Sequence, residues 1–200
     1  MVGKCCCIVI GLIFGLFVLA GVSILVYFLV IAKSMHNTLV HYAVTDASLT
    51  KFDLTANNTF LDYNLTLKLN LENRSPLDYN FDLLEAVPVF KSQNLNDMTN
   101  LSKPFYLEHK TNVTFPALFA GNHSVALGAQ EAFDFGKADV FDIVLKINSE
   151  YWAKSDSKKV SLKQEMACYL KVPLNSNGTN AGESFQITKC EKTELDINKD

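Results

Sequence analysis

Leu61-Asp62-Tyr63-Asn64-Leu65-Thr66-Leu67-Lys68-Leu69-Asn70-Leu71-Glu72 alternates apolar and polar residues for twelve positions without a break. Successive side chains of a β-strand point to opposite faces, so this stretch predicts a strand with one buried face and one wet face. A second long strand is predicted over Val160–Val172. There Val160, Leu162, Met166, Cys168, Leu170 and Val172 point one way, interrupted by Gln164, and Ser161, Lys163, Glu165, Ala167, Tyr169 and Lys171 point the other. Pro173 ends it, the polar and glycine-containing run from Asn175 to Gly182 makes a turn, and Phe185–Cys190 returns as a short strand. Further strands are expected at Val40–Phe52, Leu83–Phe90, Thr111–Leu118, Ser124–Leu127 and Val140–Ile147. Beyond the N-terminal segment no stretch sustains apolar residues at helical spacing, and Gln130–Gly136 is expected to hold a short helical turn. Seven or eight strands separated by turns predict an all-β sandwich.

The N-terminal segment has a different composition. Ile8–Ala32 is 25 residues without a charge, dominated by Leu, Ile, Val and Phe. A bilayer core needs about 20 apolar helical residues, so a transmembrane helix is expected over 8–32. A cleaved signal peptide would have an apolar region of about 7–15 residues and a small-residue cleavage site, and Ala32-Lys33-Ser34 fits that poorly. Lys4 and Lys33 flank the run and barely vote on its orientation. Cys5, Cys6 and Cys7 stand at the expected membrane edge, where cytoplasmic cysteines are S-palmitoylated. Val2 rather than glycine excludes N-myristoylation, and the polar run Glu194–Asp200 gives no expectation of a glycolipid anchor. Gly11 and Gly15 form a GxxxG pattern, a candidate face for helix dimerisation and so for a homo-oligomer.

Seven Asn-x-Ser/Thr sequons occur, at Asn57, Asn64, Asn73, Asn100, Asn112, Asn122 and Asn177. Residues 34–200 hold 17 Asn, and Ser plus Thr occupy 24 of those 167 positions. Chance would give roughly two or three sequons, so the excess argues for passage through the secretory lumen. At Asn73 the following Ser75-Pro76 disfavours glycosylation. Cys168 and Cys190 are the only cysteines beyond the N-terminal segment, and an even pair in an oxidising compartment predicts one disulfide, stapling the final hairpin. Together these features predict a single-pass type II protein with residues 34–200 outside the cell. The expected organisation is a cytoplasmic tail over 1–7, the helix over 8–32, a linker over 33–39, the extracellular sandwich over 40–195 and a polar tail over 196–200.

Chemistry-bearing patterns are sparse. The whole chain carries −3. With Lys4 and Lys33 set aside, 16 basic and 21 acidic residues remain beyond position 33, giving −5, a poor balance for binding nucleic acid. His36, His41, His109 and His123 lack metal-ligand spacing, so no metal or cofactor is expected. No HExxH, GxSxG or phosphate-cradling glycine loop is present. The scattered acidic residues read as a solvated face rather than a hydrolase pair. A non-enzymatic role is expected. Trp152, the single tryptophan, is read as a plug at the end of the sandwich in preference to a contact anchor on a loop. Pro104-Phe105-Tyr106 is open between packing and surface exposure. The long apolar face of Leu61–Leu71 raises the idea of a hydrophobic ligand between the sheets, for which plain core packing is the preferred account.

Several segments together resemble the plant harpin-induced and non-race-specific-disease-resistance-like family, whose outer domain is a subgroup-two late-embryogenesis-abundant (water-stress and hypersensitive-response) domain. They are Asp46–Phe52, Asn70–Pro76, Leu84–Lys91, Lys103–Lys110 and, most specifically, Ala167–Leu174 followed by Asn177-Gly178-Thr179 and Lys189-Cys190. The resemblance runs along the whole chain. Two segments depart from it: Asn73-Arg74-Ser75-Pro76 stands where the family has Asn-Pro-Asn, and Tyr151-Trp152-Ala153-Lys154 replaces a basic Arg-aromatic-Lys element. The resemblance implies a fibronectin-III/immunoglobulin-like sandwich behind one membrane helix and a plasma-membrane position, plasmodesmata included. It implies partners in the cell wall or among surface proteins, and a role in defence against pathogens. The alternative is a structural link between membrane and wall under dehydration. No catalytic residue carries over.

Overall fold

The computed structural model describes residues 15, 17–28, 40–55, 60–155, 158–175 and 185–193. Two units make up the chain, Met1–Leu39 and Val40–Asp200. In the first, residues 15 and 17–28 are helical (α1). Among the described residues no helix is long and apolar enough to cross a membrane, and both flanks of the expected 8–32 span lie outside them.

The second unit is built of antiparallel strands. The alternating stretch forms β2 (Phe60–Asn73), and Leu61, Tyr63, Leu65, Leu67, Leu69 and Leu71 are all buried. Each such side chain, taken from water to a packed interior, contributes on the order of 1.5–3 kcal/mol. β1 (Val40–Thr55) lies on one side of β2 and β7 (Asn112–Ser124) on the other. Among the described residues six strands are long: these three, β3 (Tyr79–Phe90), β8 (Val140–Ser155) and β9 (Lys158–Pro173). Five have two or three residues: β4 (Gln93–Asn94), β5 (Thr99–Asn100), β6 (Phe105–Leu107), β10 (Thr188–Lys189) and β11 (Glu191–Lys192). The four-stranded sheet has the order β10-β1-β2-β7. The seven-stranded sheet has the order β11-β9-β8-β3-β4, with β5 and β6 also pairing with β3. A short helix, α2 (Ala129–Phe135), joins β7 to β8, at the site of the expected turn.

The buried faces of both sheets form one core. Rings gather at each end of it. Phe52 packs on Phe141 (4.5 Å between centroids), Phe90 (5.2 Å) and Phe135 (5.3 Å) at the α2 end. Phe81 stacks on Phe105 (4.6 Å) and Tyr151 (4.7 Å) at the Val40 end. The space between the sheets is therefore filled with side chains.

Several expectations are corrected. Trp152 points to the outer face of β8, where its Nε1 donates to Asp82 Oδ1 at 3.3 Å; Tyr151 is the buried plug. The segment left open, Pro104-Phe105-Tyr106, is resolved both ways: Phe105 packs inward while Tyr106 is exposed. No separate strand forms over Ser124–Leu127, because β7 runs unbroken to Ser124, which pairs with the first residue of β2, and residues 125–127 have no strand partner. β8 continues past Ile147 to Ser155, since inward Ser149 is satisfied by the Tyr42 hydroxyl at 2.7 Å. Gln164, the interruption in β9, is buried and accepts the Tyr151 hydroxyl at 2.6 Å. The final segment is not one hairpin: β10 pairs with β1 and β11 with β9, so the chain crosses between the sheets at Cys190.

Candidate functional site

Chemistry-bearing residues gather in two places within the second unit, one at each end of the sandwich. At the α2 end, β3 leaves through Phe90 into a two-residue turn, Lys91–Ser92, with φ of 48° and 64°. Two consecutive left-handed residues are what a tight hairpin requires, and Asn-Gly would adopt them more cheaply. The strained turn holds Lys91 over α2, with Nζ 3.6 Å from Glu131 Oε1. Glu131 also accepts the Gly128 N–H at 3.0 Å. That backbone donor first, and the Lys91 ammonium second, hold the Glu131 carboxyl below its usual range. Phe135, inserted beside Phe52 and Phe141, separates two clefts. One, of ≈ 410 Å³, has Phe90, Leu127, Phe141 and Val144 in its lining and Lys91, Glu131, Asp134 and Asp142 around it. The other, of ≈ 300 Å³, is bounded by Asp53, Leu54, Gly136 and Leu174. Neither is lined by a histidine or cysteine; the larger presents mostly apolar surface and suits an apolar group, while the smaller presents more polar than apolar surface.

At the Val40 end, the β2–β3 loop and the β6–β7 turn meet. Asp78 Oδ1 accepts the backbone N–H of His109 at 2.7 Å and faces its Nδ1 at 2.8 Å. The Tyr106 hydroxyl is the largest of the effects that pull the Asp78 carboxyl down to about 2, followed by the two His109 contacts. This exposed Asp–His–Tyr cluster is not legible in the sequence, because Asp78 and His109 are 31 positions apart and neither lies in a motif. His41 lies on β1 and His123 on β7, apart from His109, while His36 lies outside the described residues. Among the described residues no group of three or more His, Cys, Asp or Glu is placed to hold a metal ion.

The sequons divide sharply. Asn112 and Asn122 are exposed at the two ends of β7, and half-buried Asn64 lies on β2 opposite Ala120 of that strand. All three sit on the outer face of the four-stranded sheet. Asn100 is exposed on β5. Asn73 must be removed from the candidates. It is fully buried, and its Nδ2 donates to the carbonyls of Leu77 (2.8 Å), Glu108 (3.1 Å) and Leu107 (3.4 Å). Its Oδ1 accepts the Ser75 N–H at 3.0 Å. The nitrogen that would carry a glycan is already holding the chain in its turn from one sheet to the other. Asn57 and Asn177 lie outside the described residues, as do Cys5, Cys6, Cys7 and Gly11; Gly15 is helical, with no atom within 4 Å of an added Cβ.

Cys168 and Cys190 are joined by a disulfide across 22 positions. Cys168 is buried on the inner face of β9, and the Cys190 N–H donates to the Tyr42 carbonyl at 2.9 Å. The bond therefore ties the β9 edge of one sheet to the β1 edge of the other.

The second unit is thus a two-sheet all-β domain, laced along one edge by a disulfide, with one cleft-bearing end and one polar cluster. No family model matches the chain. It is 30% identical over 190 residues to NDR1/HIN1-like protein 3 of Arabidopsis thaliana, covering 92% of this chain and 79% of that protein. It is 28% identical over 196 residues to NDR1/HIN1-like protein 10 of the same plant, covering 93% of this chain and 84% of that one. The chain belongs to the NDR1/HIN1-like family. A solved structure described as a protein from Archaeoglobus fulgidus aligns with 63% of this chain and 96% of its own at 5% identity, with a TM-score of only 0.26.

Proposed function

We propose that this protein is a plasma-membrane-anchored, non-enzymatic interaction protein of the plant defence response to pathogens. The observation that carries the reading is family membership along nearly the whole chain, at 30% identity to NDR1/HIN1-like protein 3. The 25-residue uncharged run Ile8–Ala32 supports a single membrane helix, and the sequon excess supports an outer domain glycosylated in the secretory pathway. A core filled by side chains, and clefts without a nucleophile–base pair, favour contact over catalysis. The strand order β1-β2-β7 facing β9-β8-β3 supports a fibronectin-III-like sandwich. The outer domain would meet cell-wall or surface-protein partners while the helix, acylated at Cys5–Cys7, holds it to its patch of membrane.

A fluorescent fusion should outline the plasma membrane, and deletion should weaken the response to pathogen elicitors. Cytosolic fluorescence, or an unchanged response in the deletion line, would sink the reading. The second role, a spacer between membrane and wall under dehydration, draws on the disulfide lacing of the two sheets. It predicts expression on drying and loss of membrane–wall attachment in the same deletion line.

A further inference from the structure

β7 ends the four-stranded sheet, and among the described residues no strand pairs with its outer side. Thirteen residues of extended chain thus present alternate N–H and C=O groups sideways. An edge of this length is a template for another chain, and proteins that keep one open guard it. The guards here are few. Pro116 lacks an N–H, and β7 carries no Lys, Arg, Asp or Glu. Leu118, midway along, is 63% exposed. What β7 does carry is a sequon at each end, Asn112-Val113-Thr114 and Asn122-His123-Ser124.

Their placement is symmetric about Leu118. If a second copy paired with β7 antiparallel through Leu118, Asn112 of one strand would lie opposite Ser124 of the other, and Asn122 opposite Thr114. Residues opposite each other share a face, and diagonal neighbours two positions apart are separated by about 7–8 Å. The Asn122 glycan of each copy would then crowd the Asn112 glycan of the other, on one face, at both ends of the seam. Every even-numbered residue from Asn112 to Ser124 is exposed, so both glycans stand on the outer face and neither can turn into the core.

We propose that glycans at Asn112 and Asn122 keep the β7 edge closed to a second copy of this chain, and that β7 pairs with β7 of that copy when the two sites are bare. The proposal rests on residues 34–200 passing through the secretory lumen. Glycosylation then supplies the guard that the strand's own sequence lacks, and the outer domain's oligomeric state follows the occupancy of two sites.

The test uses the full chain in microsomes, with Cys5, Cys6 and Cys7 changed to Ser and Leu118→Cys as a reporter for a short bismaleimide. With both sequons intact, an N-glycosidase should shift the protein on a gel and the cross-linked dimer should be minor. Asn112→Gln with Asn122→Gln should raise the dimer several-fold. Asn100→Gln, which removes a site beside β3 of the other sheet, should not. Adding Ala120→Lys to the bare strand should abolish the dimer by placing a charge on the edge. A glycosidase shift with an unchanged dimer fraction overturns the proposal and leaves the compartment reading standing. No shift at all overturns both.

Discussion

Asn73 shows how one side chain can read as a modification site and serve as a structural hub. It continues the inward phase of Leu61–Leu71, and where the apolar series ends its amide gathers three carbonyls and one N–H. Asn73→Ala would strip these bonds from a buried turn, take from the Ser75 N–H its Asn73 acceptor and leave the Leu77 and Glu108 carbonyls to the Ser75 and Thr111 hydroxyls, a loss of about 1–2 kcal/mol, readable as a lower midpoint in denaturant at unchanged slope. Asp78 is a counterpart on the surface. Its carboxyl is held at about 2 against an ordinary 3.8, so the stability it contributes is present above about pH 4 and is lost as pH falls toward 2. Asp78→Asn is expected to flatten stability against pH in that window, and a wild-type-shaped acid limb would dismiss the cluster as a contributor. Neither residue announces its role in the sequence. An inward asparagine at a strand end looks like any sequon, and the partners of Asp78 come from a turn 31 positions away.

At the scale of elements, β2 is legible because its inner face is wholly apolar from Leu61 to Leu71 and its register never slips against β7. β1 is harder to read. Its pairing with β2 shifts between Val44 and Asp46 and again between Leu49 and Lys51, so its buried positions run 40, 42, 44, then 47, 49, then 52. A bulge adds one residue and inverts the faces, which erases alternation from the sequence while keeping the strand. β8 and β9 hide their inner faces differently, behind Ser149 and Gln164, polar residues that find each other and Tyr42 and Tyr151 in the core. The cleft beside α2 leaves no trace, because Phe90, Phe135 and Phe141 meet only in space. The disulfide pairing is readable from cysteine count, but not that it bridges sheets. Cys190→Ser should cost about 3 kcal/mol on the chain-entropy estimate for a loop of this length. Hydrogen exchange should show the loss first at Thr188–Lys192 and at Ala43 and Val44, to which β10 pairs. Protection retained there would mean the short strands hold without the bond.

For the molecule as a whole, the two sheets differ in what covers them. Three of the four solvent-accessible, described sequons belong to the four-stranded sheet's outer face, and among the described residues the outward side of β9-β8-β3 carries none. Glycan mapping of protein from plant membranes should find carbohydrate among Asn64, Asn100, Asn112 and Asn122 and an unmodified Asn73. A glycan on Asn73 would contradict the buried turn. The disulfide crossing has one more consequence, a mechanical one. Tension applied at Val40 in the direction of the strand loads β1 lengthwise. β1 is hydrogen-bonded along its whole length to β2 and is gripped on its other side by β10 near its start, with Cys190 covalently tied to β9. A pull from that end must shear many bonds at once instead of peeling them one by one, so the first strand to feel a tug is also the one fastened on both sides.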